Sequence, residues 1–555
     1  MTSTETTSAI EAQPVAGRPI TNPVLTGFHP DPSILRVGAD YYIATSTFEW
    51  YPGVRLHHST NLVDWRPLGG ALNEKRLLDL TGAGNSGGVW APSLTWAHGE
   101  FHLLYTDVST FEGGYWDPQN YLVTAPSIEG PWSDPVLLHG RGFDASLFHD
   151  GDETWMLSMV ADWRPGRNRF GGISIQRYDR ETKQLTGDEQ MIFQGTAAKV
   201  TEAPVMYRKD GWYYLVTAEG GTSWEHQVTV ARSTDLRGPY EADPAGPLLT
   251  SNGHPELTLQ KAGHGSLVET PAGQWYLAHL VGRPYSELGR CVLGRESAIQ
   301  EVTWTEDGWP RVAGGVPADT VAAPLGVTVP GERPISSEQF EEDDFDEPAL
   351  GVNWSTLRRP ATPDWVSLTE RPSHLRIYGG QSPMTRLRPS LVARRVTARE
   401  LTFDAVLEFK PRNYRQLAGI TGYYNTRNWY YLHVTAEDDG TPVLGLLAAD
   451  SGKVREIPDT RRDLSGVERL ALRLRFAGPE LTFAYATELT GEPKWQDIGP
   501  ALDATTLSDE YAANVVAGEP EAWGFTGAFV GLWVQDLGRE GGFADFDRAS
   551  FKTSG

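Results

Sequence analysis

The stretch DPSILRVGADYYIATS, which begins at Asp31, decides the fold, because the same short phrase opens four later segments. These segments are APSLTWAHGEFHLLYTDV from Ala91, DASLFHDGDETWMLSMV from Asp144, EAPVMYRKDGWYYLVTA from Glu202 and HGSLVETPAGQWYLAHL from His264. Each runs from a small or acidic residue through a polar turn into an aromatic-rich strand. The segments start about 60 residues apart, and a period of this length with several strands per repeat is typical of a β-propeller.

A second repeat supports the first. The octapeptides HSTNLVDW (58–65) and APSIEGPW (125–132) and the related RSTDLRGPY (232–240) follow the first, second and fourth segments. Each predicts a turn with an aromatic anchor near the outer edge of a blade, and the flanking β-branched and aromatic runs favour strands over helices. We therefore predict an all-β fold in which a five-bladed β-propeller spans residues 19–320, after a disordered lead-in over residues 1–18.

The strand pattern changes character after the propeller. A connector rich in Pro, Gly, Ala and Val is predicted over residues 321–342. Within the acidic run EQFEEDDFDEP, the charges indicate a solvated face, with a helix start or a metal-binding loop as alternatives. From there on, runs such as LTFDAVLEFKP and GAFVGLWVQDLG alternate over lengths typical of sandwich strands. A C-terminal antiparallel β-sandwich is predicted over residues 343–555.

Composition narrows the classes of partner. The net charge of −24 argues against nucleic acid or an anionic membrane surface as a partner. Cys291 is the only cysteine, which suits a reducing compartment, and the first residues have neither a basic nor an apolar leader-like region. We expect a cytoplasmic protein, and the sequence leaves open whether it forms a homo-oligomer.

Acidic residues at equivalent repeat positions point to chemistry. Equivalent positions of a propeller converge on its axis, so Asp31, Asp144 and Glu202 should meet there together with His264. Single acids usually cap strand ends, but three carboxylates brought together repel one another, and a purely structural role would avoid that. Two carboxylates across a sugar-sized gap are the minimum equipment for glycoside hydrolysis. A third would raise the pKa of the acid and orient it.

Several long motifs resemble glycoside hydrolase family 43, and more narrowly its two-domain bacterial β-xylosidases. These motifs are NPVLTGFHPDPSILRVGADYYIATSTFEWYPGV, NSGGVWAPSL, GFDASLFHD, TEAPVMY, TAEGGTSWEH and GRESAIQ. The resemblance runs from about Asn22 to the C-terminus and implies an inverting five-bladed propeller enzyme. It implies that Asp31 is the general base, that Glu202 is the general acid, and that Asp144 tunes the pKa of that acid and orients it.

The resemblance extends to residues that would contact the sugar. Arg295 in GRES resembles the arginine that holds substrate hydroxyls, and Phe48 and Trp90 resemble subsite walls. Thr222 either borders the sugar or forms a turn. For His264 the alternatives are a satisfied core histidine and an axial residue linked to water or to Ca²⁺. No cofactor is otherwise expected.

Two further points concern the shape of the pocket. The members of the family that this chain resembles carry a Trp-Asp pair where this chain has Ala161, in MVADWR. Trp163 is the nearest residue that could replace the missing Trp. The sequence therefore leaves open whether the pocket prefers xylose or arabinofuranose. A propeller axis alone is a wide funnel, whereas cleavage of a single terminal sugar needs a blind pocket. The resemblance implies that a Phe from the second domain closes it; we predict Phe525, with Phe529 as the alternative.

These expectations combine into one functional prediction. The protein should be an exo-acting, inverting hydrolase that releases xylose from the non-reducing end of β-1,4-xylo-oligosaccharides. The alternatives are an α-L-arabinofuranosidase or bifunctional enzyme, and a non-catalytic propeller that only binds sugars.

Overall fold

A computed structural model describes residues 18–111, 115–329, 338–516 and 519–554. Its first domain is a propeller of five antiparallel sheets, each built from a contiguous stretch of chain. Blade 1 contains Ser33–Val37, Asp40–Thr45, Gly53–Ser59 and Arg66–Leu72; blade 2 contains Gly88–Ala97, Glu100–Thr110, Asp117–Ala125 and Val136–His139; blade 3 contains Ser146–Asp150, Glu153–Ala161, Phe170–Asp179 and Gln184–Phe193. Blade 4 contains Glu202–Lys209, Trp212–Glu219, Gln227–Ser233, Glu241–Ala242 and Leu249–Thr250; blade 5 contains Gln260–Glu269, Trp275–Gly282, Arg295–Trp304 and Pro310–Val312.

The repeated phrase places its opening residues around the propeller axis. At four of the five junctions between neighbouring blades the first strands contact each other, so the first strands are the inner strands. The backbone is left-handed at Asp31 (φ 57°), Asp144 (φ 55°) and His264 (φ 42°). Such φ values are uncommon for residues other than glycine, and they cluster at functional sites. The shared phrase therefore encodes a shared turn at the axis.

The propeller closes without exchanging a strand between the first and last blades. Instead, Ile20–Thr21 pairs with Thr320–Val321, and Leu25 pairs with Ser297 of blade 5. The N-terminal segment thus lies along the last blade and joins the two ends of the ring. The predicted lead-in, except for residue 18, lies outside the described residues.

The second domain is a β-sandwich of two antiparallel sheets over a large apolar core. In spatial order one sheet contains Val366–Ser367, Leu375–Tyr378, Phe543–Ser554, Glu400–Glu408, Leu470–Ala477, Glu480–Ala486 and Gln496–Asp503, with Glu338–Asp343 also paired to Phe543–Ser554. The other contains Lys453–Glu456, Pro442–Asp450, Asn428–Ala436, Gln416–Asn425, Phe529–Asp536, Leu391–Arg395, Ser355–Leu357 and Trp50–Tyr51, with Arg462–Asp463 paired to Pro442–Asp450. A hairpin joins Asn514–Val516 to Glu519–Ala522.

Helical structure is minor in the described part of the chain. It consists of the 3₁₀ turns Ala313–Gly315 and Ala504–Thr506 and the α-helix Asp509–Ala512. Among these residues no helix is long and apolar enough to cross a membrane. Both all-β predictions, the propeller and the sandwich, are confirmed.

The acidic run at the predicted boundary is already part of the sandwich. Strand Glu338–Asp343 pairs along the final strand, so the second domain begins before residue 343, and residues 330–337 of the predicted connector lie outside the described part. Glu341 and Glu342 are exposed, whereas Phe345 is buried. The run therefore forms an edge strand with a solvated acidic face and no helix.

The two domains share a sheet. Trp50–Tyr51, from the loop between the second and third strands of blade 1, pairs with Ser355–Leu357 of the sandwich. The Trp50 ring is fully buried and stacks on Phe529, with centroids 3.8 Å apart at 14°. Aromatic stacking and a shared strand fix the orientation of the domains. Phe529, the alternative pocket residue, is thus an interface residue.

Candidate active site

A cavity of about 680 Å³ opens at the propeller axis, beside the second domain. The three predicted acids, His264 and the predicted sugar-contacting residues all line it, with Phe525 rather than Phe529 from the second domain. Its lining is Asp31, Phe48, Trp90, Ala91, Phe111, Trp116, Phe143, Asp144, Trp163, Arg164, Pro165, Gly166, Arg167, Asn168, Arg169, Phe170, Val200, Glu202, Gly221, Thr222, His264, Arg295, Trp523 and Phe525. The predicted convergence of four repeat positions is what the structure shows.

Asp31 is set up to be ionised. Ser46 Oγ donates a hydrogen bond to its Oδ2 at 2.7 Å, and Arg295 Nη1 lies 3.4 Å from its Oδ1. Burial by itself would raise the pKa of Asp31, but the Arg295 charge, His264 and the Ser46 hydroxyl outweigh burial and lower it. An ionised carboxylate at this place can take a proton from water.

Glu202 is set up to hold a proton. Burial raises the pKa of Glu202 to about 8, the negative charge of Asp31 adds to the rise, and Arg295 opposes it. A protonated carboxylic acid beside an ionised one is the division of roles that glycoside hydrolysis needs. Burial is the leading cause of the raised pKa of Glu202, and the charge of Asp31 is the second.

Asp144 shares this protonated environment. Burial raises the pKa of Asp144 well above its usual range, and the charges of Glu202 and Asp31 add to the rise, while Arg295 again opposes it. Its backbone N–H donates to Thr106 Oγ1 at 3.2 Å, which holds the strand start in place. Asp144 and Glu202 therefore titrate as an interacting pair, and the tuning role of Asp144 stays a prediction.

His264 borders the base rather than a metal site. Its Nδ1 lies 3.5 Å from Asp31 Oδ1, and burial lowers the pKa of the imidazole. Ca²⁺ takes six to eight oxygen ligands, whereas the nearby carboxylate already faces Ser46 and Arg295. In the described part of the chain no three His, Cys, Asp or Glu groups converge to hold a metal ion. The donors around His264 do not fit Ca²⁺.

Arg295 connects the acids to the second domain. It begins the third strand of blade 5, and only about 3% of its side chain is exposed. Besides facing Asp31, its Nη2 donates to the carbonyl of Phe525 at 2.9 Å. Its guanidinium lies 5.4 Å from the ring centroid of Phe48 and 5.1 Å from that of Phe525. The arginine is therefore oriented by both domains.

Aromatic rings from both domains form the apolar wall. Phe525 is half-buried and lies with its centroid 5.9 Å from Phe48 and 5.6 Å from Trp90. Its backbone N–H donates to Ser86 Oγ at 3.0 Å, which anchors the loop of the second domain to the propeller. Phe525 therefore lines the cavity, and its contact with the sugar stays a prediction. Such a wall suits the apolar face of a sugar.

Several lining residues were missed from the sequence: Phe111, Trp116, Phe143, Phe170, Val200 and Trp523. In a strand-rich chain an aromatic residue is normally predicted to pack in the core. No spacing in the sequence distinguishes an aromatic residue that lines a pocket from one that packs in the core. The segment 163–170 borders the cavity as well, and the Trp163 ring contacts Tyr115 at 5.2 Å. Ala161 does not line the cavity, whereas Trp163 does, and Thr222 lines it next to Gly221.

Comparison with known proteins agrees with this geometry. The family model "Glycosyl hydrolases family 43" matches residues 20–310. This chain belongs to family 43. The model "Beta xylosidase C-terminal Concanavalin A-like domain" matches residues 342–552, which cover the sandwich.

Individual relatives match over nearly their whole length. A "Beta-xylosidase" of Bacillus subtilis is 42% identical over 96% of this chain and 99% of its own. A "Xylosidase/arabinosidase 43B" of Humicola insolens is 44% identical over 95% and 96%. The crystal structure of a xylan beta-1,4-xylosidase from Bacillus halodurans superposes with a TM-score of 0.91 at 47% identity, covering 96% of this chain and 100% of that one. Both domains of this chain therefore have counterparts in these family 43 relatives.

Proposed function

We propose that this protein is an inverting exo-β-1,4-xylosidase that releases xylose from the non-reducing end of xylo-oligosaccharides. The observation that carries the proposal is the convergence of Asp31, Asp144 and Glu202 on one cavity at the propeller axis, where the surroundings lower the pKa of Asp31 and raise that of Glu202. The names of the Bacillus subtilis and Bacillus halodurans relatives support xylose as the sugar.

In the proposed reaction Glu202 donates its proton to the glycosidic oxygen as the bond to the anomeric carbon breaks. A water molecule attacks that carbon from the opposite face, and Asp31 takes the proton that the water loses. The product xylose carries the inverted anomeric configuration. Arg295 binds sugar hydroxyls, and the rings of Phe48, Trp90 and Phe525 enclose the sugar and exclude bulk water.

The test is hydrolysis of 4-nitrophenyl β-D-xyloside, which releases a single xylose, followed by proton NMR. Newly released xylose should appear first as the α-anomer, because the β-bond is cleaved with inversion. First appearance of the β-anomer would contradict the roles of Asp31 and Glu202, and absence of hydrolysis would overturn the proposal. Glu202→Gln should remove turnover of xylobiose, which separates an enzyme from a sugar-binding propeller.

A second candidate activity is α-L-arabinofuranosidase, alone or beside the xylosidase. It is favoured by the name of the Humicola insolens relative, which combines the two activities. We expect kcat/KM to be higher on 4-nitrophenyl β-D-xyloside than on 4-nitrophenyl α-L-arabinofuranoside. The reverse order would make the arabinofuranosidase the main activity.

Three accompanying properties are also proposed. The reaction needs no metal, so EDTA should leave the rate on the nitrophenyl xyloside unchanged. The cytoplasm is the proposed compartment, supported by the single buried, free Cys291, and cell fractionation tests it. The net charge of −24 supports the proposal that neither nucleic acid nor a membrane is a partner. Analytical sedimentation tests whether the protein forms a homo-oligomer.

A further inference from the structure

The second domain contacts Arg295 with a carboxylate as well as with a carbonyl. Asp509 Oδ2 lies 4.0 Å from Arg295 Nε, and the Phe525 carbonyl accepts a hydrogen bond from Nη2 of the same guanidinium. Arg295 Nε is buried and has no hydrogen-bond partner within the described residues. The guanidinium therefore lies between two carboxylates, Asp31 of the propeller and Asp509 of the sandwich.

Asp509 is held firmly in this place. It begins the short helix Asp509–Ala512, which Ser508 caps through a hydrogen bond from the Tyr511 N–H. The hydroxyl of the buried Tyr424 donates to Asp509 Oδ1 at 2.6 Å. A Cβ on Gly524, the residue before Phe525, would lie 2.5 Å from the Cα of Asp509 and from the Tyr424 hydroxyl. Asp509 is thus packed directly against the loop that carries the pocket Phe.

A buried ion pair continues the charge sequence beyond Asp509. Lys261, on the inner strand of blade 5, pairs with Glu510, and Glu510 Oε2 also accepts the N–H of Cys291 at 2.9 Å. From the base outward the charges alternate in sign across the domain interface: Asp31, Arg295, Asp509, Lys261 and Glu510. Breaking a buried pair leaves an uncompensated charge, so each member constrains its neighbours.

We propose that Asp509 is a positioning residue of the active site: it orients the guanidinium of Arg295 and balances its charge, so that the second domain helps to keep Glu202 protonated. The proposal deepens the proposed function, on which it rests. It goes beyond closure of the pocket by Phe525, because it gives the sandwich an electrostatic role in catalysis.

The electrostatics give Asp509 a signature of its own. Burial raises the pKa of Asp509 to about 6. The charge of Lys261 opposes this rise, as do Arg295 and the Tyr424 hydroxyl, whereas the charge of Glu510 adds to it. The buried Cys291 thiol is the remaining titratable group that faces it. Asp509 is therefore neutral in the pH range in which Asp31 titrates and ionised in the pH range in which Glu202 titrates. Loss of the charge of Asp509 should affect only the basic limb of the pH profile of kcat/KM.

The experiment is Asp509→Asn, which keeps the shape and the contact to Tyr424 but removes the charge. The basic limb of kcat/KM should move to lower pH by roughly half a unit, the order expected for one charge screened by an intervening guanidinium. The acid limb should stay in place. KM at pH 7 should rise roughly 5- to 20-fold, because a misaligned charged hydrogen bond weakens sugar binding.

A matched control at the same interface is Asp503→Asn. Asp503 pairs with Arg290 at 3.5 Å and does not contact Arg295. Its replacement should leave both limbs and KM unchanged, and thermal unfolding should show both variants folded at the assay temperature. An Asp509→Asn enzyme with unmoved limbs, whether active or weakened, would overturn the proposal and reduce Asp509 to a packing residue.

Binding separates this inference from the proposed function. If the wild type cleaves neither nitrophenyl glycoside, the proposed function fails, and calorimetric titration with xylose still decides the role of Asp509. Asp509→Asn should then bind xylose more weakly than wild type at pH 7 and equally well at pH 5, where Asp509 of the wild type is protonated and residue 509 is neutral in both proteins. Equal affinity at both pH values would refute the proposal.

Discussion

Replacement of Phe525 by Ala tests whether the second domain supplies part of the active site. The ring is half-buried in the absence of substrate, with one face on Phe48, Trp90 and Trp523 and the remainder facing the cavity. Full burial of a Phe side chain contributes about 1.5–3 kcal/mol. About half of that, roughly 0.8–1.5 kcal/mol, is available to the sugar. Loss of this contribution should raise KM for xylobiose roughly 4- to 13-fold.

The stability of the fold should change little in this variant. Deletion of a fully buried Phe ring costs about 3–5 kcal/mol, whereas the half-buried Phe525 ring should cost about 1–2 kcal/mol in the free energy of unfolding. The backbone contacts of Phe525, to Ser86 and to Arg295, do not depend on the ring and should persist.

Phe529→Ala is the matched control from the same segment. Phe529 is fully buried, stacks on Trp50 and does not line the cavity. Its replacement should lower the free energy of unfolding by about 3–5 kcal/mol and change KM less than Phe525→Ala does. Steady-state kinetics on xylobiose give KM, and urea denaturation gives the free energy of unfolding, for both variants. Wild-type KM in Phe525→Ala would refute the reasoning and make the second domain only a brace.

The remaining predictions concern protonation and the domain interface. Asp31 has a lowered pKa and Glu202 a pKa of about 8, so kcat/KM should fall on the acid side only below the ordinary pKa of an Asp and on the basic side as the pH rises through about 8. Asp144→Asn should move the upper limb to lower pH, because a neighbouring negative charge favours the protonated acid; an unmoved limb would exclude Asp144 as a modulator. Trp50→Ala, at the strand shared by the domains, should destabilise the protein by about 3–5 kcal/mol. It should also lower activity at temperatures where the wild type is stable; calorimetry together with the nitrophenyl assay tests this, and an unchanged melting temperature would contradict it.

Much of the site could be predicted because the propeller repeats itself. Residues at the same repeat position must meet at the axis, so Asp31, Asp144, Glu202 and His264 could be brought together without coordinates. Arg295, Phe48, Trp90, Thr222 and Phe525 came from the resemblance, and all line the cavity. What the repeat could not show is which rings face the sugar. Phe111, Trp116 and Phe143 lie in loops next to strands, and nothing in the sequence distinguishes them from aromatic residues of the core.

The sequence by itself determined the two all-β domains, the number of blades and the set of carboxylates at the axis, because periodicity and strand alternation are local and repeated properties. Only the tertiary structure decided how the two domains contact each other. The strand at Trp50 joins a sheet of the sandwich, Phe529 stacks on Trp50, and Asp509 lies close to Arg295. Such contacts join residues hundreds of positions apart and obey no period. The pKa values that distinguish Asp31 from Glu202 likewise depend on burial and on the Arg295 charge, which exist only in the folded protein.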